Sequence, residues 1–286
     1  MANITTTRPP RLLVPLRNLN PLRSLRKGPK KPKPDADLMT LQEHLIEFRG
    51  RLVKSVLAIF AGMIVGFIFA GRVFNHMLSI IHSANPGSTV ITTEATEGFM
   101  TYFKIALYIG VIVASPILFY QIVRFMAPGL LPHELKYLLW GIPLASALFI
   151  GGVYFANIVV IPSFLKFLVS FSFGFLGNFT VTSNNFLTFF IKISLGMGLI
   201  FQLPAALFLL AKIRVVNVDK LRRWRRYAFL ICTIVGAAIS PTPDPFNMML
   251  VALPMYALYE VGTIATYFAL PRHDRGRFWR RPKLAA

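Results

Sequence analysis

Two carboxylates, Glu47 and Glu134, are the main candidates for chemistry in this sequence. Each lies at the start of a predicted helix, next to a long apolar run. Arg side chains bind carboxylates bidentately in a fixed geometry, so two separate acids suit a ligand that carries two guanidinium groups. Such a ligand would have to combine this pairing with apolar contacts, because the surrounding chain is strongly basic.

Each acid also has a purely structural explanation. Glu47 and Arg51 have the i, i+4 spacing of a helical ion pair, although such a pair contributes only about 0.5 kcal/mol or less. Glu134 follows Pro132 by two residues and could complement the dipole of a helix that begins there. Glu43 has the spacing of a capping box with the Thr before it. The residue types alone leave the binding and structural explanations open.

Two further polar residues, Gln202 and Glu260, lie inside apolar runs. Ionisable groups inside a membrane are costly and usually face protein or a wet cavity. Glu260 is therefore a candidate for a functional role or for contact with a partner helix, with an internal hydrogen bond as the alternative. Gln202 could contact a partner, or it could bond to a backbone carbonyl that Pro204 leaves free. Asp244 stands between two prolines, and we expect it to act mainly in a turn.

The sequence lacks catalytic signatures. It contains no HExxH, Gly-x-Ser-x-Gly or Walker A pattern and no cluster of Cys and His with metal-ligand spacing. The single cysteine, Cys232, lies in an apolar run and cannot form an intrachain disulfide. We therefore predict a protein that is not an enzyme and that carries no metal or cofactor.

The composition places these residues in a membrane protein. Apolar residues make up 55% of the chain, and thirty-one Lys and Arg residues stand against eleven acids. Several apolar runs reach the roughly 20 residues that a helix needs to cross a bilayer. The basic residues lie in tails and loops beside these runs. That pattern is typical of positive-inside orientation and of attraction to anionic lipid, and it argues against nucleic-acid binding.

We predict an all-α, polytopic membrane protein with six transmembrane helices and with both termini in the cytoplasm. Residues 1–38 form a basic, Pro-rich tail that we expect to be disordered, and residues 271–286 form a second basic tail. An organelle transit peptide is the alternative for the first tail, although its prolines count against a transit helix. Residues 39–270 form the membrane domain. Its spans are expected at about 52–70, 99–125, from 134 onwards, 185–211, 224–239 and 246–270.

One apolar run makes the number of spans ambiguous. It begins near Glu134 and continues almost unbroken to Leu176. Pro162 and Lys166 split it, so that its last part, 163–176, could be an additional span or an interfacial helix. An additional crossing would place the seven Lys and Arg residues of the 212–226 loop outside, against the positive-inside bias. With six spans, 27 of the 31 basic residues lie inside; the exceptions are Arg72, Lys104, Lys166 and Lys192.

Two local patterns concern the shape of the helices and their connections. We expect residues 72–98 to be a polar connection with a turn at 85–88, and the extended stretch 89–93 indicates an ordered cap. Prolines inside apolar runs are expected to kink or shape their helices. They are Pro116, Pro143, Pro204 and Pro254.

Four stretches together resemble a known family. Residues 41–51, Leu-Gln-Glu-His-Leu-Ile-Glu-Phe-Arg-Gly-Arg, resemble the HLxELRxR signature that opens TatC, the multispanning subunit of the twin-arginine protein translocase. Residues 125–134 resemble the first cytoplasmic loop of that family. Residues 240–244 and 254–260 resemble its final turn and its last span. The similarity extends over about residues 38–270, and the six-span topology agrees with it.

The resemblance implies a receptor for signal peptides that carry consecutive arginines, in a translocase that exports folded proteins with the protonmotive force. It assigns signal-peptide binding to Glu47 and Glu134, with Arg49 close by. The second span stops at residues 127–129, and we expect Pro128 to form a structural turn there. The resemblance implies the bacterial or archaeal cytoplasmic membrane as the location, with an organelle membrane as the less favoured alternative.

The resemblance also implies partners. These are the single-span subunits TatA and TatB, docked on the last two spans including Glu260, and further copies of the chain in the assembly. The position of Gln202 is often Glu in the family; because an amide cannot ionise, contact with a partner helix is favoured there over a proton-linked role. The alternatives are a small secondary transporter with a midplane site near Glu260 and Gln202, and an insertase. The lack of internal repeats argues against the first, and the lack of a central Lys or Arg in the spans argues against the second.

Overall fold

The computed structural model describes residues 41–126, 132–172, 180–212, 216, 218–240 and 244–269. By its internal contacts the chain divides into two units, Met1–Leu45 and Ile46–Ala286. The described part of the first unit is the beginning of one helix, and all other elements belong to the second unit. The tails predicted at 1–38 and 271–286 lie outside the described residues, and so does Pro128.

The described residues are almost entirely helical, which confirms the predicted all-α class. Nine α-helices, one π-helical segment and two short strands follow one another along this part of the chain. They are α1 (Leu41–Ala84), β1 (Thr89–Ile91), α2 (Glu97–Met126), α3 (Pro132–Phe155), the π segment (Ala156–Val160), α4 (Ile161–Ser172), β2 (Thr180–Thr182), α5 (Ser183–Ile200), α6 (Leu203–Lys212), α7 (Val218–Arg223), α8 (Arg225–Ile239) and α9 (Pro245–Ala269).

Five helical stretches of the described chain are long and apolar enough to cross a bilayer. The expected fifth span corresponds to α8, whose 15 residues make a helix only about 22 Å long at 1.5 Å per residue. The hydrocarbon core of a bilayer is about 30 Å thick, so a sixth crossing by α8 would need local thinning or association with other helices. The crossing by α8 therefore stays a prediction. The five stretches are Gln42–Ala84, Glu97–Met126, Gly141–Ser170, Ser183–Ala211 and Pro245–Phe268.

The run whose topology was ambiguous is one continuous helix. Helix α3, the π segment and α4 follow one another without a break from Pro132 to Ser172. The part of 163–176 that the structure describes therefore belongs to the same helix as the third span. This agrees with the count of basic residues on the two sides, and the number of crossings stays a prediction. The π segment inserts a wider turn into this helix, a feature that often marks a functional or strained site.

The first helix is longer than predicted. A polar connection was expected from Arg72 onwards, and this was wrong, because α1 continues without a break to Ala84. Met77, Ile80 and Ile81 are buried, and their spacing of three to four residues puts them on one face of a helix. Burial of that face extends the helix, while Ser79 between them is exposed. The turn predicted at 85–88 follows directly, with the Gly87 N–H bonded to Asn85 Oδ1 at 3.0 Å.

The predicted cap is confirmed as a two-stranded parallel sheet. Strand β1 pairs with β2 in the register Thr89 to Thr180, Val90 to Val181 and Ile91 to Thr182. Each strand leads into a helix, β1 into α2 and β2 into α5. Because the two strands are paired and parallel, α2 and α5 start at the same end of the helix bundle. We call this the cap end, and the opposite end the Glu47 end.

Helices α1 and α2 approach each other closely through small residues. A Cβ added at Gly62 would lie only 2.6 Å from the Gly110 carbonyl oxygen, and one added at Gly66 would collide with the Ala106 carbonyl. Small residues four apart on facing helices let backbones pack closely inside a membrane. This contact fixes α1 against α2, and it thereby positions the Glu47 end of both helices.

The four prolines that were expected to kink or shape helices fall into two groups. Helices α2, α3 and α9 run on through Pro116, Pro143 and Pro254. Only Pro204 accompanies a break, between Ile200 and Leu203, where α5 ends and α6 begins.

Candidate functional site

Residues 48–51 of α1 lie beside the last turns of α2. The rings of Phe48 and Phe125 are 5.5 Å apart at their centres. Arg51 Nη1 reaches Gln121 Oε1 at 3.5 Å, at the limit of a hydrogen bond. These contacts hold Glu47, which lies one turn before Arg51 on the same helix, at the end of the bundle where α2 finishes.

The Glu47 carboxylate is only half paired. Its Oε1 accepts a hydrogen bond from Arg51 Nε at 2.9 Å and a second one from Arg51 Nη2. Its Oε2 is buried and has no hydrogen-bond partner among the described residues. A buried acceptor that lacks a donor is costly, more so when it is charged. The site therefore holds an acceptor oxygen that an incoming N–H donor would stabilise.

The other predicted members of this site are placed only in part. Arg49 is exposed on α1. Glu134 belongs to the first turn of α3, which begins at Pro132, while its side chain lies outside the described residues. Helix α2 ends at Met126, and the chain between it and Pro132 can span at most roughly 22 Å. The backbone of Glu134 is thus confined to the Glu47 end, but contact between the two carboxylates is untested.

Gln202 occupies the break between α5 and α6. Its Nε2 donates a hydrogen bond to the carbonyl oxygen of Ala145 in α3, at 2.9 Å. Neither explanation given for Gln202 anticipated this bond, because sequence spacing cannot show which helix lies opposite the break. The bond ties the kink before Pro204 to α3. It occupies one of the four hydrogen-bonding positions of the amide, so a contact with a partner helix stays a prediction.

Glu260 forms an ion pair within the chain. Its Oε2 accepts a hydrogen bond from Arg225 Nη2 at 2.7 Å, and its Oε1 accepts one from the Tyr256 hydroxyl at 3.1 Å. Arg225 is the first residue of α8, so the pair joins the start of α8 to α9. About a quarter of the Glu260 side chain remains exposed. The internal contact and a contact with a partner are therefore compatible.

Asp244 has a more specific role than a turn residue. Its Oδ1 accepts the Asn247 N–H at 2.8 Å, and its Oδ2 accepts the Asn247 side-chain amide at 2.8 Å. These bonds cap the first turn of α9, which begins with Pro245, the residue favoured at that position. Asp244 thus fixes where the last helix starts.

Glu97 is a buried acid that the sequence interpretation did not single out. Its Oε2 accepts the Thr93 N–H at 2.6 Å and the Glu94 N–H at 3.4 Å. Its Oε1 accepts the Asn184 N–H at 2.6 Å, from the first turn of α5. Glu97 thereby joins the two halves of the cap. The available signal was an acid in the first turn of α2, directly after an extended stretch.

An apolar concavity of about 640 Å³ lies along α9. Phe246, Leu253 and Val261 of α9 line one side of it, and Phe155 and Phe201 line the other. Leu253 and Val261 are more than half exposed. The last span therefore presents an open apolar face beside the α5–α6 kink.

Comparison with known proteins agrees with this fold. The family profile described as Sec-independent protein translocase protein (TatC) matches residues 43–254. The TatC of Carboxydothermus hydrogenoformans is 35% identical over 238 residues, which cover 83% of this chain and 97% of that protein. The TatC of Aquifex aeolicus is 34% identical over 233 residues, which cover 80% of this chain and 96% of that protein.

Solved structures give the same result. A crystal structure of the twin-arginine translocase receptor TatC matches with a TM-score of 0.69 at 33% identity, covering 79% of this chain and 99% of that chain. A second crystal structure of that receptor, in DDM, matches with a TM-score of 0.70 at 33% identity, covering 78% of this chain and 98% of that chain. The family profile matches residues 43–254, which make up most of this chain. The chain therefore belongs to the TatC family of Sec-independent protein translocase proteins.

Proposed function

We propose that this membrane protein is the receptor of its translocase for signal peptides that carry consecutive arginines. The observation that carries the proposal is the half-paired Glu47 carboxylate at the end of the bundle where α3 begins. A guanidinium that reaches Oε2 would supply the donor that the described residues do not. Glu134 would hold the second guanidinium, and Arg49 would restrict access to ligands that offer this specific pairing.

In this proposal the Glu47 end faces the cytoplasm and the cap end faces outward. The basic tails, 1–38 and 271–286, would then lie inside, where positive-inside bias and anionic lipid both favour them. Six crossings, with α8 as a short span, would give this arrangement. The cytoplasmic membrane of a bacterium is the compartment that fits, and translocation of folded proteins would draw on the protonmotive force.

Binding of a twin-arginine peptide to the purified full chain tests the receptor function. The peptide carries a photocrosslinker, and the control peptide has both arginines replaced by lysine. Lys carries the same charge but cannot form the bidentate pair. We expect the twin-lysine peptide to bind at least about tenfold more weakly, since a hydrogen bond to a charged group contributes about 1.5–3 kcal/mol. Equal binding of both peptides would reject the proposal.

The partners we propose are the single-span subunits TatA and TatB, docked on α8 and α9, with further copies of the chain in the assembly. The open apolar concavity along α9 supports this choice, because it offers a transmembrane helix a packing surface. Glu260 lies on the same helix and keeps part of its side chain exposed.

We expect Glu260→Ala to weaken co-purification with the single-span partners. Two comparisons separate a direct contact from loss of the ion pair with Arg225. Arg225→Gln breaks the same pair but keeps the carboxylate, so it should retain more partner than Glu260→Ala. The swap Arg225→Glu with Glu260→Arg can restore the pair but moves the acid to α8, and we expect it not to restore association. If Glu260→Ala co-purified as much of the single-span partners as the wild type does, a partner contact at Glu260 would be wrong.

A further inference from the structure

Two lysines inside the spans have no place in the receptor site. Lys104 of α2 and Lys192 of α5 are among the four basic residues that the positive-inside pattern leaves on the other side. The structure brings them together as lining residues of one cavity of about 250 Å³ between α2 and α5. Two cationic side chains that line one cavity within the membrane-spanning region favour an anionic ligand there.

The cap explains Lys104 only in part. Its Nζ donates a hydrogen bond to Asn184 Oδ1 at 2.5 Å, and the Glu97 carboxylate attracts it through space. An ammonium group has three donors, so this bond leaves two of them for another acceptor.

Lys192 has no such explanation. It is exposed on α5, and within the described part of the chain it has neither an ion pair nor a hydrogen-bond partner. It lies nine residues after Ser183, or about 13 Å along the helix from the cap end. Lys104 lies seven residues after Glu97, or about 10 Å from the same end. Both ammonium groups are therefore in the half of the bundle nearer the cap, within reach of lipid headgroups by snorkelling.

The rest of the cavity lining is suited to hydrocarbon. Leu107 and Val111 continue down α2 from Lys104, and Ile191 and Leu195 flank Lys192 on α5. The cavity therefore has two cationic side chains toward the cap end and apolar side chains beyond them, an arrangement that matches the headgroup and the adjoining hydrocarbon of a lipid. We propose that it binds an anionic phospholipid of the cap-side leaflet, with the phosphate between the two ammonium groups and an acyl chain along the apolar residues.

Photolabelling of the full chain in bilayers tests the site without interference from the basic tails. Photoactivatable phosphatidylglycerol is compared with phosphatidylcholine that carries the same acyl chains, and the labelled peptides are mapped. We expect phosphatidylglycerol to label 104–111 and 188–195 at least about tenfold more strongly. One basic residue near the headgroups contributes roughly a fivefold change in binding, so Lys192→Met should reduce this label about fivefold, whereas Lys192→Arg should keep it.

Lys166→Met is the matched control, because Lys166 is exposed on α4 but does not line the cavity. In this variant phosphatidylglycerol should label 104–111 and 188–195 as strongly as in the wild type. The test uses substitutions of Lys192 and not of Lys104, because Lys104 also bonds to Asn184 in the cap. Equal labelling by the two lipids, or a label that Lys192→Met leaves unchanged, would overturn the proposal. So would loss of a single-span partner from Lys192→Met with unchanged lipid labelling, which would assign Lys192 to a protein carboxylate.

Discussion

Replacing Glu47 with Gln should reduce crosslinking of a twin-arginine peptide at least about tenfold while membrane insertion remains intact. The amide is neutral, so it removes the charge that would attract a guanidinium, and it offers one acceptor oxygen in place of two. Glu47→Ala should abolish binding. We expect the same of Glu134→Ala if α3 supplies the second acid. The measurement is photocrosslinking to purified protein, normalised to the amount inserted.

Two controls accompany this prediction. Glu43→Gln removes an exposed acid one turn earlier on α1 and should bind peptide like the wild type. Arg51→Gln breaks the ion pair but leaves the Glu47 carboxylate, so it should keep more binding than Glu47→Gln. If Arg51→Gln loses as much as Glu47→Gln, Glu47 acts only by holding Arg51, and its direct role in binding is wrong.

The second large effect is expected at the cap, where Glu97→Gln should lower the apparent Tm in detergent by more than about 5 °C. Both carboxylate oxygens of Glu97 accept backbone N–H groups, from Thr93 and Glu94 on one side and from Asn184 on the other. An amide of the same shape turns one oxygen into an NH₂ group, which would face an N–H donor. One side of the cap would then lose its acceptor.

Glu94→Gln is the matched control for Glu97, because Glu94 is an exposed acid in the same loop, and it should leave the Tm within about 1 °C. The side chain of Glu94 forms none of the three bonds to Glu97. Glu94 contributes only its backbone N–H, and only to one of them. A Tm for Glu97→Gln as high as that of Glu94→Gln would show that the cap does not depend on the buried carboxylate.

The sequence predicted those features whose cause is local. The Glu47–Arg51 pair follows from i, i+4 spacing. A turn before the last span was expected from Asp244 between two prolines, although the cap that Asp244 forms on α9 was not. The all-helical class follows from apolar runs of membrane-spanning length. Counting the Lys and Arg residues on the two sides of the membrane predicted that 163–176 is no additional span. The continuous helix from Pro132 to Ser172 agrees with that prediction.

Features that depend on distant contacts were not predictable in this way. The extension of α1 to Ala84 depends on burial of Met77 and Ile81 against other elements. The bond from Gln202 to Ala145 and the bond from Asn184 to Glu97 each join residues that only the fold brings together. Their chemistry was visible in the sequence, but their partners were not.

The pairing of β1 with β2 has a consequence for biogenesis. Thr89 emerges from the ribosome about 90 residues before Thr180, its partner in the sheet. While the intervening helices are being inserted, the nascent chain has an open strand edge, and Glu97 lacks the donor from Asn184. The two strands can meet only after α3 and α4 have been integrated. The cap sheet therefore forms late, after the three helical stretches that precede β2 have been made: α1, α2 and the continuous helix of α3, the π segment and α4.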